Sequence, residues 1–166
     1  MKRKGWLLCL FGGLLSLLGC AQKQMPAGDL VSVEYTQSGT MAGFSFFGSV
    51  EQDSTGSFVA RAMKESYGPL FKNQVGPEAM RSLRRIIEEE GMYAYREVYR
   101  PSVEVLDGWG WSFSAKFSDG SVISSHGSNA SPKGNGLVRI NNYLTDLIED
   151  GIQMEESETE EYLNNR

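Results

Sequence analysis

Residues 109–126 constrain the fold more than any other stretch of this chain. Trp109, Trp111, Phe113, Ala115 and Phe117 alternate with Gly110, Ser112, Ser114 and Lys116, the period-two pattern of a strand with one buried face. Asp119-Gly120 follows and suits a two-residue type I′ turn, because both central residues of that turn take positive φ. A hairpin closed in this way pairs Phe117 with Val122, Ala115 with Ser124 and Phe113 with His126. It places the chain's one histidine on the aromatic face, with Lys116 and Ile123 on the other. A slip of one residue exchanges the two faces, so the register decides what His126 is able to do.

The rest of the domain is read from the same periodicities. Leu30–Thr36 alternates with Val31, Val33 and Tyr35 in phase. Met41–Val50 carries Phe44, Phe46 and Val50 in phase, and Ser57–Met63 carries Phe58, Ala60 and Ala62, the two joined by the turn residues Asp53-Ser54-Thr55-Gly56. Three strands with short connections predict an antiparallel meander. Gly76-Pro77 opens a helix with Met80, Leu83, Ile86 and Ile87 on one face and Gly91 as its stop. Leu137, Ile140, Leu144, Leu147 and Ile148 mark a second helix ending before Gly151. In Met92–Leu106, Tyr93, Tyr95 and Tyr99 alternate as in a short strand that Pro101 interrupts. The expectation is an α+β fold over residues 30–151: an antiparallel β-sheet with two amphipathic helices packed on one face.

The N-terminus has a different grammar. Lys2-Arg3-Lys4 precede an apolar run over residues 5–19, too short and wrongly flanked for a spanning helix but laid out as a secretory signal. The run ends in Leu17-Leu18-Gly19-Cys20, which resembles a bacterial lipobox. The resemblance implies removal of residues 1–19, a diacylglycerol thioether on Cys20 and acylation (palmitate or a similar chain) of the new amino group. It also implies a place on the extracytoplasmic side of a bacterial membrane, in the cell envelope. Residues 20–29, polar with Pro26 and Gly28, then read as a lipidated cysteine and tether; nine residues reach about 30 Å at most. Residues 152–166, rich in glutamate, read as an acidic flexible tail.

Composition narrows the partners. Loss of residues 1–19 leaves 147 of 166 residues and moves the formal charge from −5 to −8. Such an acidic chain argues against nucleic acid, which is held by clustered Lys and Arg, and assigns anchoring to the lipid. Of two cysteines, Cys9 leaves with the signal and Cys20 carries the lipid. No disulfide is then open to the mature chain, and a Cys/His zinc site is excluded. No metal or other cofactor is expected. Lys133, between Pro132 and Gly134, lacks the Gly-Lys-Ser/Thr order of a phosphate-binding loop.

The residues suited to a ligand are aromatic, cationic and amide side chains: Tyr95, Arg96, Tyr99, Trp109, Trp111, His126 and Asn129. Aromatic faces and Arg forks suit a glycan or peptide. The alternative for His126 is a small extracytoplasmic hydrolase with Ser124 or Ser125 as nucleophile, although no nucleophile-elbow motif surrounds them. DGWGWSF, SDGS, SSHGSN and the terminal amphipathic helix also resemble small bacterial envelope lipoproteins, a resemblance that brings no activity and no functional residues. The leading expectation is a non-enzymatic binding or scaffold module whose partner is an envelope protein, peptide or glycan, with a structural envelope adaptor as a further alternative.

Overall fold

The structure, a computed structural model, describes residues 23–39, 43–103, 105 and 108–166. The signal, Cys20 and parts of Met41–Val50 and Val103–Leu106 lie outside the described residues. In chain order the elements are β1 (Leu30–Ser38), β2 (Phe44–Gln52), β3 (Phe58–Met63), β4 (Leu70–Val75), α1 (Pro77–Glu89), a 3₁₀ turn (Met92–Ala94), β5 (Val98–Tyr99), β6 (Gly110–Phe117), β7 (Val122–Ser128), α2 (Gly136–Asp146), β8 (Ile152–Gln153) and α3 (Glu156–Asn164). They build an α+β fold around one eight-stranded sheet in the order β5-β7-β6-β1-β2-β3-β4-β8. Every neighbouring pair is antiparallel except β5 and β7, which run parallel, so the sheet is mixed rather than purely antiparallel.

One face of the sheet is the core. Val33, Val50, Ala60, Trp111, Phe113, Ala115 and Phe117 point into it, and Met80, Leu83, Ile87, Ile140 and Leu144 of α1 and α2 close over them. The helices are those the sequence marks. Pro77 occupies the first turn of α1, and Gly91 reverses the chain behind it with φ +61°. Gly48 lets α2 approach, since a Cβ there would meet Leu144 Cδ1 at 2.9 Å.

The opposite face overturns the two-helix expectation. Ser49, which alternates with Gly48 and Val50, accommodates α3 instead of α2. Tyr162 Oη lies 2.9 Å from Ser49 Oγ and donates to Glu51 Oε1 at 3.0 Å, and its ring packs edge-on against Phe47. The guanidinium of Arg61 sits 4.4 Å from the Tyr162 ring centroid and that of Arg166 at 4.9 Å, while Arg166 also pairs with Glu34. Residues 152–166 are thus a strand and a docked helix, not a flexible tail. Most of the glutamates mark the solvent side of α3, Glu158 pairs with Lys72 of β4, and Tyr162 and Leu163 pack on the core.

The segment read as a free tether is fastened as well. Arg84 donates to the carbonyls of Pro26, at 2.8 Å, and Gly28; the Gly28 N–H donates to Asp119 Oδ2 at 2.9 Å; Asp29 exchanges bonds with Ser118. Lys23 Nζ reaches the Tyr95 carbonyl at 2.7 Å, and Met25 packs against the core.

Candidate functional site

The β6–β7 hairpin forms, but with another turn. Phe117 N–H donates to Ser121 O at 3.0 Å, Gly120 N–H donates to Phe117 O at 3.0 Å, and Gly120 has φ +83°. This is a three-residue loop over Ser118–Gly120 with glycine in the left-handed position. The register therefore pairs Phe113 with Ser125 and Ser112 with His126. His126 does not face the aromatic core; it shares the outer face with Lys116 and is exposed. In its place Ile123, Ser125 and Gly127 point inward. The packing reason is Gly127, paired with Trp111: a Cβ there would collide with the indole Nε1 and the Ala130 carbonyl.

This register puts Ser125 on the opposite face of the sheet from His126, while Ser124 shares the outer face with His126 but forms no hydrogen bond to it among the described residues. Ser125 is 1% exposed and donates its hydroxyl to the Arg96 carbonyl at 2.6 Å. His126 points to the other side of the sheet and takes part in no side-chain hydrogen bond or ion pair among the described residues. A nucleophile and its base must lie within hydrogen-bond reach, so His126 and Ser125 do not form such a pair.

Three of the sequence candidates are core. Tyr95, Tyr99 and Trp111 are buried and form an aromatic ladder, Tyr95 edge-on to Tyr99 with centroids 6.3 Å apart and Tyr99 tilted against Trp111 at 5.7 Å. The indole N–H of Trp111 donates to the Ala130 carbonyl at 2.7 Å. Burial pushes the Tyr95 hydroxyl up to about 12. The alternation of Tyr93, Tyr95 and Tyr99 is not that of one strand, because a 3₁₀ turn takes Met92–Ala94 and β5 begins only at Val98. Arg96 is exposed and stacks its guanidinium 4.6 Å from the Tyr99 ring centroid.

Trp109 and Asn129 are the candidates that meet at a cleft. The Trp109 N–H donates to Asn129 Oδ1 at 2.9 Å, and the Asn129 N–H returns a bond to the Trp109 carbonyl at 2.9 Å. Asn129 adopts φ +50°, which asparagine tolerates better than most residues, and its amide fills the space where a Cβ on Gly108 would stand. Asn129 is thus a positioning residue. It fixes the backbone before β6 so that Trp109 remains 38% exposed at the rim while Trp111, two residues on, is buried.

Trp109 divides two adjoining clefts that also share Gln37. The larger, about 480 Å³, lies between the end of β1, the β3–β4 turn and α2, and is lined by Ser38, Ser45, Tyr67, Asn141 and Thr145 among others. The smaller, about 290 Å³, continues past Tyr35 toward Pro132, Leu137 and Val138. Tyr67 is 55% exposed and held at φ +59°, with its N–H donating to Ser45 O at 3.2 Å and its hydroxyl against Gly39. A tyrosine in the left-handed region is costly and needs support from its surroundings; such positions cluster at functional sites. Two exposed aromatic rings therefore border one groove whose lining is mainly hydroxyl and side-chain amide. Its charged members are Lys64, whose ammonium is engaged by the Glu149 carbonyl at 2.8 Å, and Glu65.

Sequence reasoning missed Gln37, Tyr67, Asn141 and Thr145. They come from a strand end, a turn and a helix that no sequence spacing connects. Tyr67-Gly68, a bulky residue at a turn, was the one local signal. Among the described residues no cluster of His, Cys, Asp and Glu is arranged to hold a metal ion. No protein-family model and no curated protein matches this chain.

Proposed function

We propose that this protein is a lipid-anchored binding module of the bacterial cell envelope that holds an uncharged polar ligand, a glycan, in the groove around Trp109. The observation that carries this reading is the pairing of Trp109 and Tyr67 as exposed rings over a lining of Gln37, Asn141, Ser and Thr groups. Sugar rings present C–H faces that stack on aromatic side chains and hydroxyls that both donate and accept, which side-chain amides match on both counts. A groove of this size takes a short segment of a chain, not a large folded partner. The reading is non-enzymatic, supported by the separation of His126 from Ser125.

Envelope localisation and attachment through Cys20 belong to the same proposal and rest on the order of charge, apolar run and Leu-Leu-Gly-Cys at the N-terminus. No helix among the described residues is long and apolar enough to cross a membrane.

The test is a calorimetric titration of the soluble chain starting at Ala21 with N-acetylglucosamine oligomers, which carry no charge. Saturable binding of the parent chain, lost in Trp109→Ala and at least tenfold weaker in Gln37→Ala, supports the groove. Unchanged affinity in Trp109→Ala overturns it.

A further inference from the structure

We propose that the uncovered half of the sheet's outer face, on β5, β7 and β6, lies against the anionic surface of the membrane that carries the protein; this rests on the lipidation of Cys20 proposed above. Six bonds from Arg84, Asp119, Ser118 and Tyr95 fasten residues 23–29 to the domain. Only Ala21 and Gln22 separate Lys23 from Cys20. Three virtual bonds span at most about 11 Å, against about 30 Å for a free nine-residue tether. An acylated Cys20 therefore holds whatever surrounds Lys23 within reach of the headgroups.

What surrounds Lys23 is the β7 edge. Residues 23, 24 and 26 face Tyr93, Glu97 and Ser121–Ser124 across a cleft of about 530 Å³. On the outer face of the adjoining strands stand Lys116, His126 and the exposed Val98 and Val122, and Arg96 and Arg100 flank β5. The three strands contain no acidic residue, and Glu97 is the one acid between Tyr93 and Arg100. Lys23, Arg96, Arg100 and Lys116 form no ion pair among the described residues. Set against Glu97 in the cleft and against Asp29 and Asp119 at the hairpin end, these four cations leave a local excess of positive charge in a mature chain of net charge −8, placed where the lipid holds it. Each cation near an anionic leaflet adds attraction, and together they orient a domain that an acyl chain already confines. Val98 and Val122 provide apolar side chains that insert among the headgroups.

The same outer face is closed over β2–β4 by α3, so the bare area begins where that helix stops. The Trp109 groove opens on the other side, between the sheet ends and α2, and so faces away from the bilayer.

The mature chain's single cysteine is Cys20, which makes site labelling clean. Full-length lipidated protein carrying Ser124→Cys on the outer face, or Asn142→Cys on α2, is labelled with a fluorophore. It is then placed in phosphatidylglycerol–phosphatidylethanolamine vesicles containing a headgroup nitroxide quencher. The label at position 124 is expected to be quenched at least threefold more than that at 142. The difference should shrink with Lys116→Glu plus Arg100→Glu, in phosphatidylcholine vesicles, and in high salt. Equal quenching of both labels in protein that floats with the vesicles overturns the orientation and leaves the anchor standing. Protein that neither floats nor takes up labelled fatty acid overturns both.

Discussion

The two faces of the sheet are stabilised by different means. The core face is apolar, continuous and covered by α1 and α2, whose own residues recur at helical spacing. The outer face is covered only in part: Tyr162 packs on Phe47 between Arg61 and Arg166, with its hydroxyl on Ser49 and Glu51, and past β1 no helix covers the sheet among the described residues. Apolar burial leaves a periodic trace in sequence because each buried position must repeat with its element. A contact made by one tyrosine and two arginines leaves none. The comparison teaches that the face of this domain left partly bare is also the face that patterning describes least.

The core face should yield the largest effects. Trp111→Ala removes a buried ring, its contact with Tyr99 and the bond to Ala130, and is expected to cost about 3–5 kcal/mol in denaturant unfolding. A cost below about 1 kcal/mol would place the energetic centre elsewhere. The outer face comes next. Truncation after Gly151 deletes β8 and α3 and uncovers Phe47 and Ser49, with an expected loss above about 2 kcal/mol. Tyr162→Phe, which leaves the ring and removes only the hydroxyl, should account for about 1 kcal/mol. If the truncated chain matched the full one, α3 would be ornament on the fold and the contrast between the faces would fail.

Surface carboxylates give a smaller, pH-dependent effect. The Arg139 side chain bonded to Glu90, and the Ser121 backbone N–H bonded to Asp119, hold these carboxyls below their ordinary values. A depressed value in the fold means that the unfolded chain takes up protons first. The stability involved is present above the ordinary carboxylate range, near pH 4, and is lost as pH falls through the depressed values. Asp119→Asn should flatten the acid limb of the stability profile and increase hydrogen exchange at Gly28; an unchanged acid limb would show that Asp119 does not secure the N-terminal segment. The smallest effect belongs to the bare outer face: His126→Ala should shift the unfolding midpoint by no more than about 0.5 kcal/mol. A loss of 1–2 kcal/mol would restore His126 to the buried position that the two-residue turn implies.

Much of this fold is legible in the sequence, and the exceptions have physical reasons. Both core helices, three of the first four strands and the β6–β7 hairpin follow from period and turn chemistry. β4 escapes because Leu70-Phe71-Lys72-Asn73-Gln74-Val75 places its apolar residues at the ends without alternation. α3 escapes because its glutamates outweigh Tyr162 and Leu163. The hairpin register turns on whether Asp119-Gly120 closes a two- or three-residue loop, and both loops accept those residues. The deciding clue lies at the far end of the strand, where Ile123 and Gly127 fit an interior that contains Trp111 better than Ser124 and His126 do. Of the candidate site, Trp109 and Asn129 were legible as an aromatic and an amide in a loop. Their partners come together only through the fold.

The account's central claim is that the Trp109 groove is where this protein meets its ligand. The most direct measurement is a ¹H–¹⁵N correlation spectrum of the soluble chain starting at Ala21, titrated with uncharged N-acetylglucosamine oligomers. The prediction is saturable shifts of the Trp109 indole and the Gln37 and Asn141 side-chain amides, with the Trp111 indole, bonded to Ala130, moving far less. Shifts confined to the outer face around His126 and Ser124, or no shifts at saturating oligomer, would contradict it.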